Sequence, residues 1–153
     1  MKRLALLVSL LCFTALSTYP QTCTGSKTLM KHVYNPARLV EQKGCVTVTG
    51  VIVKKLKEAD GDFHVRLKLD PGQDADLIND RNKKAQGGNL VFEPICINKV
   101  TQKSAKAACK KFHQIISLPN KGDHVEVTGI HILDQEGGHG WLEIHPVTKI
   151  KKI

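Results

Sequence analysis

The sequence predicts an all-β protein with minor α content: a five-stranded Greek-key barrel with a helix between strands three and four. Three observations carry that prediction. Two octapeptides of one design, VTVTGVIV at 46–53 and VEVTGIHI at 125–132, set alternating apolar residues on both sides of a central glycine. Residues 62–70 alternate Phe63, Val65, Leu67 and Leu69 with His64, Arg66 and Lys68, the two-residue period of a half-buried strand. Residues 122–148 read as a hairpin: Val125 and Val127 alternate with polar residues, then Leu142 and Ile144 do the same beyond the turn Gln135-Glu136-Gly137-Gly138-His139-Gly140.

Taken in order, the chain of 153 residues opens on Lys2-Arg3, an apolar run from Leu4 to Leu16, and the small-x-small pattern Ala15-Leu16-Ser17. That is the plan of a secretory signal peptide, expected over residues 1–20 and removed in the mature protein. A short membrane anchor is the alternative, but about 13 apolar residues fall short of the ~20 that span a bilayer. Removing the segment takes two of the 23 basic residues and none of the 14 acidic ones, so the formal charge falls from +9 to +7. Such a surface suits an anionic partner, whether nucleic acid, acidic glycan or lipid; solubility alone would also explain it.

Four cysteines then remain, Cys23, Cys45, Cys96 and Cys109, an even number behind an export signal and hence a pair of disulfides. Three pairings are open. The sequential one, Cys23–Cys45 with Cys96–Cys109, closes the shortest loops, each adding ~3 kcal/mol by the chain-entropy argument. No Cys-x-x-Cys spacing points to a structural zinc.

Residues 21–44 form a polar N-terminal extension in which Lys27–Met30 and Ala37–Val40 suggest a loose turn and a short helix. The main domain is expected over 45–153. Its first strand points Val46 and Val48 inward before Gly50, and Val51 and Val53 after it; the fourth does the same with Val125 and Val127, then Ile130 and Ile132, about Gly129. Each glycine is expected to mark a bulge that bends a long strand. The second strand, 62–70, stops at Pro71-Gly72, and residues 74–86 read as a charged short helix or ordered loop ended by Gly87-Gly88. A third strand covers Asn89–Cys96. A helix is expected over Ser104–Gln114, where Ala105, Ala108 and Phe112 recur at helical spacing.

Strand, strand, strand, helix, strand, strand, with long bent strands first and fourth, resembles the OB-fold, the oligonucleotide- and oligosaccharide-binding barrel. The resemblance covers about residues 45–152, lies in topology rather than in a motif, and extends to small exported OB-type domains of bacteria. It implies a ligand-binding face on the sheet. An immunoglobulin-like sandwich would need more strands than this chain supplies.

Two sets of residues carry chemistry on that face. Glu143 and His145 share one side of a strand, with Trp141 beside them and His139 in the turn; Asp62 and His64 share one side of another, and Glu93 falls between. Carboxylates and imidazoles in this number suit a divalent metal such as zinc, manganese or non-haem iron, with Asp62, His64, Glu93, Glu143 and His145 as candidate ligands. Polar strand faces wetted by solvent are the plain alternative. The second set is basic: Lys54, Lys55, Lys57, Arg66 and Lys68, with Arg81, Lys83 and Lys84 nearby, suited to tracking a phosphate or sulfate backbone. Trp141 is the expected exposed stacking platform. Lys99, Lys103, Lys106, Lys110 and Lys111 read as a solvated helix face.

No Ser-His-Asp pattern, phosphate loop or dinucleotide fingerprint occurs, so binding ranks above catalysis. The expectation is a secreted or periplasmic module for an anionic polymer or small anionic ligand, using Lys54, Lys55, Arg66, Lys68, His139 and Trp141. A metal-dependent hydrolase or nuclease on the Asp62/His64/Glu93/Glu143/His145 face is one alternative. An envelope module that binds another protein is the other.

Overall fold

A computed structural model describes residues 22–73 and 76–153. The expected signal peptide lies outside them. The described chain is mostly β with little helix, in the order α1 (Ser26–Met30), a 3₁₀ turn (Pro36–Arg38), β1 (Leu39–Lys57), β2 (Phe63–Leu69), α2 (Asp80–Gln86), β3 (Leu90–Phe92), a second 3₁₀ turn (Lys103–Ala105), β4 (His124–Asp134) and β5 (Leu142–Lys152). The strands join in one hydrogen-bonded ring, β1-β2-β3-β5-β4, closed between β4 and β1. All neighbours are antiparallel except β3 and β5.

The ring encloses Val48 and Ile52 from β1, Val65 and Leu67 from β2, Leu90 and Phe92 from β3, Val125 and Val127 from β4, and Ile144 and Val147 from β5. Full burial of such a side chain contributes about 1.5–3 kcal/mol. Of the apolar set expected to face inward from 62–70, Val65 and Leu67 are buried and Phe63 and Leu69 pack half-buried at the core's edge, while His64 of the opposite face is buried too; the two halves of the 122–148 hairpin pair directly, His131 with Ile144 and Leu133 with Leu142. Gly138 and Gly140 have φ of 93° and 73°, which the turn needs.

Of the two glycines of the repeated octapeptide, Gly129 marks the expected irregularity and Gly50 does not. At Gly50 the inward phase does not slip: Val48, Gly50 and Ile52 are buried, while Val51 and Val53 are half-buried. Gly50 is the residue at which β1 passes from one partner to the other, being opposite Leu69 of β2 and Val125 of β4. A Cβ there would stand 2.3 Å from the Lys68 carbonyl oxygen, so the residue is small because a neighbouring backbone crosses it. The register irregularity of the β1–β2 pair falls two residues on, between Ile52 and Lys54. Gly129 does sit in an irregular register against β5, with Ile132 buried and Ile130 only half-buried.

Three further boundaries move. β1 begins at Leu39, six residues before the expected domain start, and pairs there with the far end of β4. In the N-terminal extension the helical turns fall at Ser26–Met30 and Pro36–Arg38. β3 stops at Phe92 because Pro94 has no N–H to give the ladder, although Glu93 N–H still reaches the Ile144 carbonyl at 3.0 Å. The helix expected over 104–114 is replaced by successive i→i−3 turns, among them Ala105 to Gln102, Ala108 to Ala105 and Phe112 to Cys109. Only Ala105 and Gln114 of that stretch are buried, Lys111 has φ 57°, and so short a lysine-rich segment gains little from being helical.

The sequential disulfides are present, Cys23–Cys45 with S–S 2.12 Å and Cys96–Cys109 with 1.97 Å. Among the described residues no helix is long and apolar enough to cross a membrane.

Gly129 offers a direct check on the ring. A Cβ at this position would meet Ile144 Cγ2 at 2.4 Å, the Pro146 carbonyl oxygen at 2.6 Å and Val147 Cα at 2.9 Å. Gly129→Ala is therefore expected to cost about 1–3 kcal/mol, while Gly137→Ala, with nothing within 4 Å, stays near the parent. Urea unfolding of the two variants beside the parent measures this.

Candidate functional site

The outer face of the ring is polar where β2, β3 and β5 run side by side, and there Asp62, His64, Glu93, Glu143 and His145 come together. The parallel register that sets Val91 opposite Glu143 and Phe92 opposite Ile144 brings Glu93 level with His145; the β2–β3 register, Val65 opposite Phe92, brings His64 to the same level. All five are buried, Glu143 and His145 completely. The plain alternative, a strand face wetted by solvent, is not what is found. Against the cluster lie Gln86 of α2, Trp141 and the segment after Pro94, which is tied down by the Cys96–Cys109 disulfide and by Gln114, which accepts from Ile95 N–H at 2.8 Å and donates to the Val147 carbonyl at 2.7 Å.

Charge-assisted hydrogen bonds connect the five. Carboxylates only accept, so the imidazole nitrogens facing them carry the protons. His64 Nδ1 donates to Glu93 Oε1 at 2.9 Å and its Nε2 contacts Gln86 Oε1 of α2 at 3.1 Å. His145 Nδ1 lies 3.0 Å from Glu143 Oε1 and 3.1 Å from Glu93 Oε2. Trp141 Nε1–H donates to Glu143 Oε2 at 2.9 Å. Asp62 Oδ1 accepts from Cys96 N–H at 2.7 Å. Its Oδ2 has no hydrogen-bond partner, nor has His145 Nε2, and the two stand 3.8 Å apart.

Burial and pairing pull these groups from their ordinary pKa values. For His145 burial alone would lower it, but the hydrogen bonds to Glu143 and Glu93 prevail and lift it to about 10. His64 is raised by Glu93 against the same burial cost. For Glu93 burial works upward, yet the two imidazoles hold it well below the carboxylate range. Burial raises Asp62 to about 7, with His145 pulling the other way. Burial, then repulsion from Glu93, raises Glu143.

A cleft of about 420 Å³ opens onto this cluster through His64 and Glu93. It is lined by Glu58, Ala59 and Asp60 from the β1–β2 loop and by Asp134, Glu136, His139 and Trp141 from the end of β4 and the β4–β5 loop. Trp141 is not the expected exposed platform: it is 9% exposed, and His139 stacks on it with ring centroids 4.0 Å apart. The more exposed ring of the stack is His139, whose Nδ1 is held by Asp134 at 2.8 Å.

The basic residues divide. Lys54, Lys57 and Lys68 are exposed, with Lys54 opposite Arg66 in the β1–β2 register. Arg66 lines the cleft and donates to the Ala85 carbonyl at 3.3 Å; Lys55 is engaged by the Pro119 carbonyl at 2.7 Å. Arg81 is committed to the β4–β5 loop, donating to the carbonyls of His139, at 2.7 Å, and Gly138. Lys83 pairs with Asp80 on α2, and Lys84 is exposed.

Several residues that shape the site carry no strong sequence signal. Arg38 sits with Nε 2.9 Å from Glu136 and 3.3 Å from Asp134, and donates from Nη1 to the Tyr34 carbonyl. α2 clamps the β4–β5 loop through Asn79, which donates to the Gly140 carbonyl at 3.0 Å, and Asn82, which exchanges two 2.8 Å hydrogen bonds with the Leu142 backbone. The pair Asn79-x-x-Asn82 is legible as a helix start, since each side chain caps the other's backbone. Its second use, as a clamp on a loop 60 residues away, is not.

A scan of protein-family models finds no match to the chain, and a search of curated proteins finds none.

The imidazole at the centre predicts a pH response. His145 is raised from 6.5 to about 10 in the folded state, so its stabilisation is complete below about pH 6.5 and is lost as pH rises through 10. Asp62, raised from 3.8 to about 7, acts in the same direction over the lower window. In chelator, the urea midpoint is expected to fall between pH 7 and 10, and His145→Gln to flatten that limb.

Proposed function

We propose that the chain is an exported OB-type module that binds an anionic polymer, in the manner of single-stranded nucleic acid, across the outer face of β1, β2 and β3. The observation that carries the reading is the position of the cleft. It lies on β2 and β3 between the β1–β2 and β4–β5 loops, the place where OB barrels take oligomeric ligands. Two disulfides and the expected leader support export.

Charge divides the work between two surfaces. Glu58, Asp60, Glu93, Asp134 and Glu136 outnumber Arg38 and Arg66 in the cleft, which therefore does not receive the phosphates. Those follow the exposed cations Lys54 and Lys68 beside it. A base enters the cleft, stacks on His139 over Trp141 and donates its amino hydrogens to the carboxylates. The hydrolase alternative uses the same face and requires a cation beneath the cleft.

Fluorescence anisotropy with a labelled single-stranded oligonucleotide, in EDTA, tests the reading. Binding is expected at low salt and should weaken as salt rises. Lys54→Gln and Lys68→Gln should each reduce the log–log salt slope by ~0.7, the value for one phosphate of a single strand. Absence of binding at low salt, or indifference to salt, would refute it.

A further inference from the structure

The hydrogen-bonded cluster leaves two atoms unserved. Asp62 Oδ2 and His145 Nε2 are both buried and without a hydrogen-bond partner, on residues 2% and 0% exposed. They face each other across 3.8 Å, beyond hydrogen-bond range. A carboxylate oxygen and an imidazole nitrogen bound to one tetrahedral zinc at ~2.0–2.2 Å stand roughly 3.4 Å apart, so a closure of a few tenths of an ångström would seat an ion between them. A carboxylate oxygen of Glu93 completes the set: one ligand atom each from Asp62, Glu93 and His145 lie within 4.8 Å of one another.

We propose that Asp62, Glu93 and His145 form a binding site for one divalent transition-metal ion of the zinc and manganese class. The surroundings of His145 support the assignment. A metal-binding imidazole characteristically donates its other ring N–H to a carboxylate, which fixes the tautomer and turns the free nitrogen toward the ion. His145 does this through Nδ1 to Glu143, and Glu143 is itself held by Trp141 Nε1–H. Asp62 is oriented alike, its Oδ1 fixed by Cys96 N–H so that Oδ2 is presented. Glu143 is therefore a positioning residue, and His64 holds Glu93 from the far side. A second grouping, Asp62 with Cys96 and Cys109, offers no thiolates because its cysteines form a disulfide.

Three donors of mixed nitrogen and oxygen character favour zinc or manganese over calcium, which takes six to eight oxygens. Glu93 also lines the cleft, so the ion would sit just behind the surface assigned to the polymer. The site stands on its own geometry and does not depend on polymer binding.

The experiment is titration of the EDTA-stripped, disulfide-intact mature protein with Zn²⁺ and Mn²⁺ by calorimetry, with metal content after dialysis measured by mass spectrometry. One ion per chain is expected, with a rise in Tm. Asp62→Asn keeps the acceptor for Cys96 N–H and is expected to lower affinity at least 100-fold, as is His145→Ala. Glu143→Gln should lose 10–100-fold, the range for carboxylates behind metal-bound histidine. His113→Ala, on the exposed loop, should bind as the parent does. The proposal is overturned if the stripped protein takes up no stoichiometric zinc or manganese, or if Asp62→Asn binds as tightly as the parent. The oligonucleotide assay in EDTA reads polymer binding separately, so either idea can fail alone.

Discussion

Glu93 is the residue on which the outer face depends. It is a buried carboxylate shared by two imidazoles, His64 from β2 and His145 from β5, and it follows directly on β3. On the outer face, three strands are joined at one level by a single side chain. A buried charge of this kind is costly unless fully paired, and here the pairing holds Glu93 ionised and raises both imidazoles. Removing either partner would leave a largely buried charge short of a partner. The interior of the ring, by contrast, is apolar.

Much of the architecture could be read because a strand face repeats every two residues. Phe63, Val65, Leu67 and Leu69 announce their side of β2 without reference to the rest of the chain. The same rule put Asp62 with His64, and Glu143 with His145, on common faces. Their convergence with Glu93 then followed from the order of strands. Burial could not be read that way. A Glu-x-His pair has the same sequence whether its face meets water or is covered, and the segment 94–114 that reaches Asp62 through Cys96 consists of irregular turns with no period. The missing helix at 104–114 failed for a related reason: Ala105, Ala108 and Phe112 have helical spacing, but Lys111 turns left-handed and Phe112 stacks on His32 from the N-terminal extension at 3.7 Å. Gly50 shows the limit in miniature, since its neighbour Lys68 is 18 residues away and only the folded ring brings that carbonyl close.

The surface has two electrostatic scales. Over the whole chain the charge is strongly positive, which acts at a distance and is screened by salt. Within the cleft the sign reverses, and Arg38 is largely spent on Asp134 and Glu136. The two scales occupy different surfaces: Lys54, Lys57 and Lys68 are exposed, whereas the cleft between the β1–β2 and β4–β5 loops is lined mainly by acids. Composition reports the first scale alone, which is why the lysines stand out in the sequence and the cleft does not.

The Cys96–Cys109 bond has a consequence for when the protein becomes competent. Cys96 supplies the N–H that orients Asp62, and Cys109 Sγ lies 3.6 Å from the Asp60 carbonyl oxygen just before it. A newly made chain in a reducing compartment would have its strands but not the staple over them. Without the bond nothing covalent would hold the Cys96 N–H over Asp62, so the thiol state of this pair and the arrangement of the acids beneath it are linked.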